Sequence, residues 1–169
     1  MKNPATTLLT SVIGLLPLTG TAAHAAAAQA RAEIAIDAPA ERVWQVLTAI
    51  DAWPRWNRAV DTAHLERPVA AGSVFRWKSQ GFTVTSTLVT VRAPSRLAWT
   101  GEAFGTKASH EWEIVPSAHG VIVRTSETFD GWLPRLMPGT MQDKLEDTLP
   151  AWLAALKAEA ERPWGTGVP

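Results

Sequence analysis

His110 and Glu127 are the residues of this 169-residue chain whose setting points to chemistry. Both fall on the apolar phase of stretches that alternate like β-strands. In Lys107–Val115, His110, Trp112 and Ile114 share one face, while Glu111 and Glu113 share the other. In Val121–Asp130, Val121, Val123, Thr125, Glu127 and Phe129 share a face, while Arg124, Ser126 and Thr128 share the other. Pro116-Ser117-Ala118-His119-Gly120 reads as a five-residue turn between them, so the two stretches form a hairpin. Its apolar faces must point inward together. An imidazole and a carboxyl then meet across the hairpin in an otherwise apolar interior. A buried carboxylate is costly unless paired. Such a pair suits three roles: a satisfied interior pair that fixes strand register, a polar anchor for ligand, or a general acid/base couple beside a substrate. Outside, Arg124 can meet Glu111 or Glu113 in an exposed pair of small value.

Other chemistries are excluded. The chain has no cysteine, hence no disulfide, thiol nucleophile or lipoprotein anchor. It has no Gly-rich phosphate loop and no G-x-S-x-G elbow. His64, His110 and His119 lie far apart without metal-type spacing, so neither a metal nor a cofactor is expected. Sixteen basic residues balance sixteen acidic ones, which gives no footprint for nucleic acid or anionic membrane.

The elements that must position the pair follow from periodicity. Arg31–Asp37 alternates as a strand. Asp37, as N-cap, then Pro39 and Glu41 open a helix carrying Val43, Trp44, Val46, Leu47 and Ile50. A second helix start lies in Asp51–Asn57. Strands follow at Val74–Ser79, Phe82–Val91 and Arg96–Thr100, with a turn at Pro94-Ser95, and then the hairpin. From Leu133 the period becomes helical: Leu133, Met137, Met141, Leu145, Leu149, Trp152, Leu153 and Leu156 form a stripe, with Lys144 among the residues off it. Pro138-Gly139 marks the helix start, Pro150 should kink it, and Pro163 ends it. Hairpin strands make an antiparallel sheet, and the striped helix must cover its inner face: an α+β domain.

Nine Trp and four Phe stand beside no Tyr. Phe75, Trp77, Trp99, Trp112 and Phe129 take inner-face positions, with Met137, Met141 and Leu145 on the facing helix. Such a set either fills a core or lines a ligand cavity with few polar points, here His110, Thr125 and Glu127. Trp53, Trp56 and Asn57 belong either to the cavity mouth or to a short helix packed on the sheet edge.

Residues 1–25 read as a signal peptide: Lys2, the apolar run Leu8–Leu18, and Ala23-His24-Ala25 before cleavage after Ala25. The run is shorter than the roughly 20 residues that span a bilayer, though an uncleaved anchor is the other way to read it. Export to a bacterial periplasm is the expectation, with no stable membrane insertion after cleavage. Residues 26–30 read as a linker, 31–163 as the domain and 164–169 as a tail. The pattern carries no signal for oligomeric state.

The order strand, two helices, antiparallel strands, long helix resembles the START-like superfamily (SRPBCC, Bet v 1-like), of the polyketide cyclase/dehydrase type. The likeness covers about residues 32–162. It is carried by Ile34–Trp44 (IAIDAPAERVW), Asp51–Asn57 (DAWPRWN), Gly72–Trp77 (GSVFRW), Pro94–Trp99 (PSRLAW), His110-Glu111-Trp112, Glu127–Gly131 (ETFDG) and Leu153–Lys157 (LAALK). It implies a helix-grip fold, a curved sheet around a C-terminal helix, with a cavity between them. Pro150 departs from that family's uninterrupted helix. The resemblance does not supply a function. Three remain open: an exported binder of a hydrophobic, lipid- or polyketide-like molecule; a cyclase/dehydratase-type enzyme using His110 and Glu127; and a packed interaction protein without a cavity.

Overall fold

The computed structural model describes residues 26–79 and 81–163. The expected signal peptide and the tail 164–169 lie outside the described residues. The elements, in chain order, are β1 (Ala28–Ile36), α1 (Ala40–Thr48), a 3-10 turn (Ile50–Ala52), α2 (Trp53–Trp56), β2 (Val60–Leu65), β3 (Val74–Ser79), β4 (Phe82–Arg92), β5 (Arg96–Ala103), β6 (Thr106–Ser117), β7 (Gly120–Asp130), α3 (Trp132–Leu136) and α4 (Pro138–Ala160). One antiparallel sheet runs β1-β7-β6-β5-β4-β3-β2. It curves around α4, which is the expected helix-grip α+β architecture.

Several boundaries differ from the pattern, each for a physical reason. β1 begins at Ala28, not Arg31, so most of the expected linker is strand; Ala28 pairs with Phe129 and Ala30 with Glu127. Ala-Gln-Ala has little β-propensity of its own. The Gln142 side chain supplies what the sequence lacks. Its Oε1 accepts from the Gln29 amide at 3.1 Å, and its Nε2 donates to the Gln29 carbonyl at 2.9 Å. Further along, Lys157 Nζ donates to the Ala35 carbonyl and Glu161 Oε1 accepts from the Asp37 amide. The free edge of β1 is thus sealed by side chains of α4 and of Glu161 at its C-terminal cap. Asp37 therefore serves that seam and does not cap α1, which starts after Pro39 with no side-chain cap.

β2 lies where the pattern predicts no strand. A register shift between Val60 and Thr62 explains this: buried Val60 and half-buried Ala63 and Leu65 fall in opposite phase. The β6–β7 turn is tighter than five residues, because Ser117 already pairs with Gly120. Gly120 holds φ +106°, and a Cβ there would lie 2.2 Å from the Ile36 carbonyl oxygen. α4 continues through Pro150, which sits on the exposed side of the helix.

The core lies at one end of the grip. Trp53 is its hub: fully buried, with edge contacts to Phe75 at 5.6 Å and to Trp152 at 5.1 Å between ring centroids. A buried indole needs a partner for its N–H. The Leu47 carbonyl, left unpaired in the last turn of α1, accepts it at 2.9 Å.

Candidate functional site

Reading across the sheet at one level after another shows where packing stops. Leu88, Trp99, His110 and Glu127 stand in successive cross-strand pairs, followed by Ala30. The next level toward the open end reads Phe75, Ser86, Gly101, Ala108 and Phe129. Its middle three residues are small. Gly101 and Ala108 leave a gap before α4, while buried Ser86 accepts from Trp77 Nε1 at 3.1 Å. The gap is a cavity of about 270 Å³. β3–β7 supply one wall, including Trp77, Phe82, Val84, Ala103 and Phe129. Leu133 of α3 and Met141, Lys144, Thr148 and Trp152 of α4 supply the other.

His110 and Glu127 are the buried polar pair of this cavity, whose lining also includes Ser79, Thr106, Lys144 and Thr148. They are a direct cross-strand pair. His110 Nδ1 lies 3.5 Å from Glu127 Oε1, with side-chain exposures of only 4% and 11%. The imidazole is held from three sides. Its plane stacks on Trp112 with centroids 5.1 Å apart, and Trp99 lies tilted at 4.7 Å. Its Nε2 meets Thr125 Oγ1 at 2.8 Å. The Thr125 hydroxyl donates its single proton to the Glu111 carbonyl at 3.0 Å. It must therefore accept from Nε2–H, which fixes the ring's orientation and turns Nδ1 toward Glu127. A spacing of 3.5 Å is too long for a full hydrogen bond, so the Glu127 oxygens retain acceptor capacity toward the cavity.

The residues named from sequence separate into distinct places. Trp77, His110, Glu127, Phe129 and Met141 line the cavity. Thr125 touches His110 from behind. Phe75, Trp99 and Trp112 are buried in the core, and Trp53 is the core's hub rather than part of a mouth. Trp56 is half-buried against Trp152 at 5.9 Å, and buried Asn57 accepts from the Ala59 amide, so neither reaches the cavity. Leu145 is buried on the adjoining side of α4, while Met137 is exposed between α3 and α4. The inner wall of α4 is set by Met141, Lys144, Thr148 and Trp152, one helical turn apart. The apolar stripe hid Lys144 and Thr148. Lys144 is amphipathic: its ammonium lies 6.0 Å from the Phe82 ring centroid while it borders the cavity. The missed signal for the hollow itself was residue size, since Gly101, Ala103 and Ala108 continue inner faces that begin with Leu97, Trp99 and Trp112.

A second depression lies on the sheet's outer face, lined by Arg31, Glu33, Arg96, Glu111, Glu113 and Arg124. It is a ladder of exposed ion pairs. Arg124 meets Glu33 at 3.0 Å and Glu113 at 3.5 Å, and Glu111 meets Arg96 at 3.7 Å. The Glu33 carboxylate, aided by Glu113, holds the Arg124 guanidinium above its ordinary value. Among the described residues, no group of three His, Asp or Glu side chains converges as a metal site.

Solved structures share this fold. A hypothetical protein from Helicobacter pylori superposes with a TM-score of 0.69 at 19% identity, covering 92% of this chain and 99% of its own. A START superfamily protein from Mycobacterium smegmatis gives 0.67 at 18% identity, covering 79% and 97%. The Zhui aromatase/cyclase from Streptomyces sp. R1128 gives 0.69 at 20% identity, covering 83% and 98%. At this identity they establish the fold alone. A search of the curated proteins by sequence finds no match. The model of the family described as polyketide cyclase / dehydrase and lipid transport matches residues 27–161, and the chain belongs to that family.

Proposed function

We propose that this protein binds a compact apolar molecule carrying one hydroxyl or carbonyl group, held between sheet and α4 with that group on His110 and Glu127. One observation carries this: the small residues Gly101 and Ala108 open a hollow directly beside a buried polar pair. Size narrows the ligand. Sites for drug-sized molecules span roughly 300–1,000 Å³. A cavity of about 270 Å³ takes one or two rings, or a single short chain, and leaves no room to enclose a two-chain lipid. The sequence of residues 1–25 supports a place of action outside the cytoplasm, in a bacterial periplasm, after cleavage following Ala25. The test is native mass spectrometry of protein purified from its source, joined to titration with 1-naphthol read by fluorescence of Trp77 and Trp152. A small adduct, or saturable naphthol binding that Ala108→Leu removes, is expected. Absence of both overturns the proposal.

Catalysis is the second reading, favoured by the way Thr125 orients His110. With Nε2 committed to Thr125, Nδ1 can back Glu127, whose carboxyl faces the cavity. Glu127 would then exchange a proton with substrate, as cyclisation or loss of a hydroxyl requires, with His110 as the positioning partner. Turnover of a screened hydroxylated ring substrate should fall at least about a hundredfold in Glu127→Gln. Unchanged turnover removes this reading without touching the first.

A further inference from the structure

One residue on the inner side of α4 is out of keeping with a helix that only packs. Met141, Leu145, Leu149 and Trp152 turn an apolar side to the sheet, yet Lys144 stands half-buried on the cavity wall among them. The acidic residues of the same turns, Asp143, Glu146 and Asp147, are exposed. The methylene stem of a lysine suits an apolar wall. Its ammonium does not, because it gives up part of its hydration there, a cost that an anion beside it offsets.

The cavity has two polar places of opposite character. Among the described residues that line it, the charged ones are Lys144 and Glu127, with the titratable His110 beside Glu127. His110 and Glu127 lie deep, and Glu127 stands at the sheet level of Leu88. Lys144 Nζ lies 6.0 Å from the ring centroid of Phe82, the first residue of β4, whose side chain is 53% exposed. The ammonium therefore marks the rim, where the face of the Phe82 ring favours a cation.

This polarity fixes how a ligand can lie. An anionic group is repelled by the Glu127 carboxylate and attracted by Lys144. The anion must then stay at the rim. The apolar body lies along Trp77, Phe129 and Trp152, and a neutral donor or acceptor reaches the deep pair. A single ammonium matches a single negative charge.

We infer that the molecule held in this cavity is a compact hydroxy or oxo carboxylic acid, with its carboxylate on Lys144 Nζ at the rim and its hydroxyl or carbonyl on His110 and Glu127. This rests on the ligand reading above and adds the chemical class of the ligand and its direction of entry. The probes are 6-hydroxy-2-naphthoate and its amide, 6-hydroxy-2-naphthamide, which share a shape and differ in charge. Each is titrated by calorimetry at pH 7 into the parent, Lys144→Met and Lys144→Arg, and thermal melts establish that the variants are folded. The parent should prefer the naphthoate by about tenfold, and added salt should shrink that preference. Lys144→Met should bring the two affinities to within about twofold of each other, while Lys144→Arg should keep the preference. Equal binding of both probes by the parent overturns the inference and leaves the ligand reading in place. So does a preference for the naphthoate that survives in folded Lys144→Met. A parent that binds neither probe nor 1-naphthol removes the ligand reading, and this inference with it.

Discussion

His110 and Glu127 face one another as a direct cross-strand pair, yet Thr125, two residues before Glu127, decides how the imidazole meets the carboxyl. Replacing Thr125 with Val keeps the shape and removes both hydroxyl bonds. Stability should fall by about 1–2 kcal/mol, since Nε2–H and the Glu111 carbonyl each lose a partner. Imidazole nitrogen NMR checks the orientation. The parent should show a single Nε2–H form, and Thr125→Val should lose that preference. If the spectrum does not change, Thr125 does not orient the ring.

Glu127→Gln tests the pair from the other side. The amide keeps the volume but presents a donor as well as an acceptor. Because the 3.5 Å contact with His110 Nδ1 is too long for a full hydrogen bond, stability by denaturant unfolding should change by no more than about 1 kcal/mol. Ligand affinity should drop about tenfold where a hydroxyl of the ligand donates to Glu127.

Ala108 tests the hollow. Leu at this position projects between His110 and the mouth and fills part of the cavity. Naphthol binding should weaken at least about tenfold, the equivalent of 1.4 kcal/mol. The melting temperature should hold steady or rise, because the added side chain enters space rather than a packed core. A fall of many degrees would mean that no such space exists.

Gly120→Ala should be strongly destabilising. The positive φ and the Ile36 carbonyl each oppose a Cβ there. About 2–3 kcal/mol is expected from chemical denaturation, with the fold retained.

The seam between β1 and α4 should be pH-dependent. Lys157, with help from the Asp37 amide, holds the Glu161 carboxyl below its ordinary value of 4.5. A lowered carboxylate stabilises the fold above that ordinary value, and the contribution disappears as pH falls through the lowered one. Glu161→Gln should therefore melt below the parent at pH 7, and the two melts should converge as acid protonates the parent's carboxylate. A gap that persists in acid would show that the charge is not the cause.

The fold was legible because its strongest signals are local. Phe75 and Trp77, or Trp112 and Ile114, repeat with period two, and Leu149, Leu153 and Leu156 repeat with a helical period. The His110–Glu127 meeting was legible too, since alternation fixes the face and a hairpin fixes the neighbour. The identity of the ring contacts was not. Trp53 and Trp77 look alike in sequence, yet one takes the Leu47 carbonyl deep in the core and the other borders a void. That distinction depends on which level of the sheet each residue occupies. Cross-strand register sets the level, and two bulges, in β2 and β4, shift it. Gly101 and Ala108 were overlooked because a cavity is written in the absence of side chains, while pattern reading follows the large ones.

The seal on β1 also has a meaning in time. The strand made first pairs with the one made last, nearly a hundred residues away, and only the helix after that covers its edge. Closing so long a loop is entropically slow, and no partial chain contains the contacts that reward it. During synthesis β1 has nothing to hold. The β1 edge of the sheet is completed as a late event, so the emerging polypeptide keeps that edge open until β7 and α4 have followed.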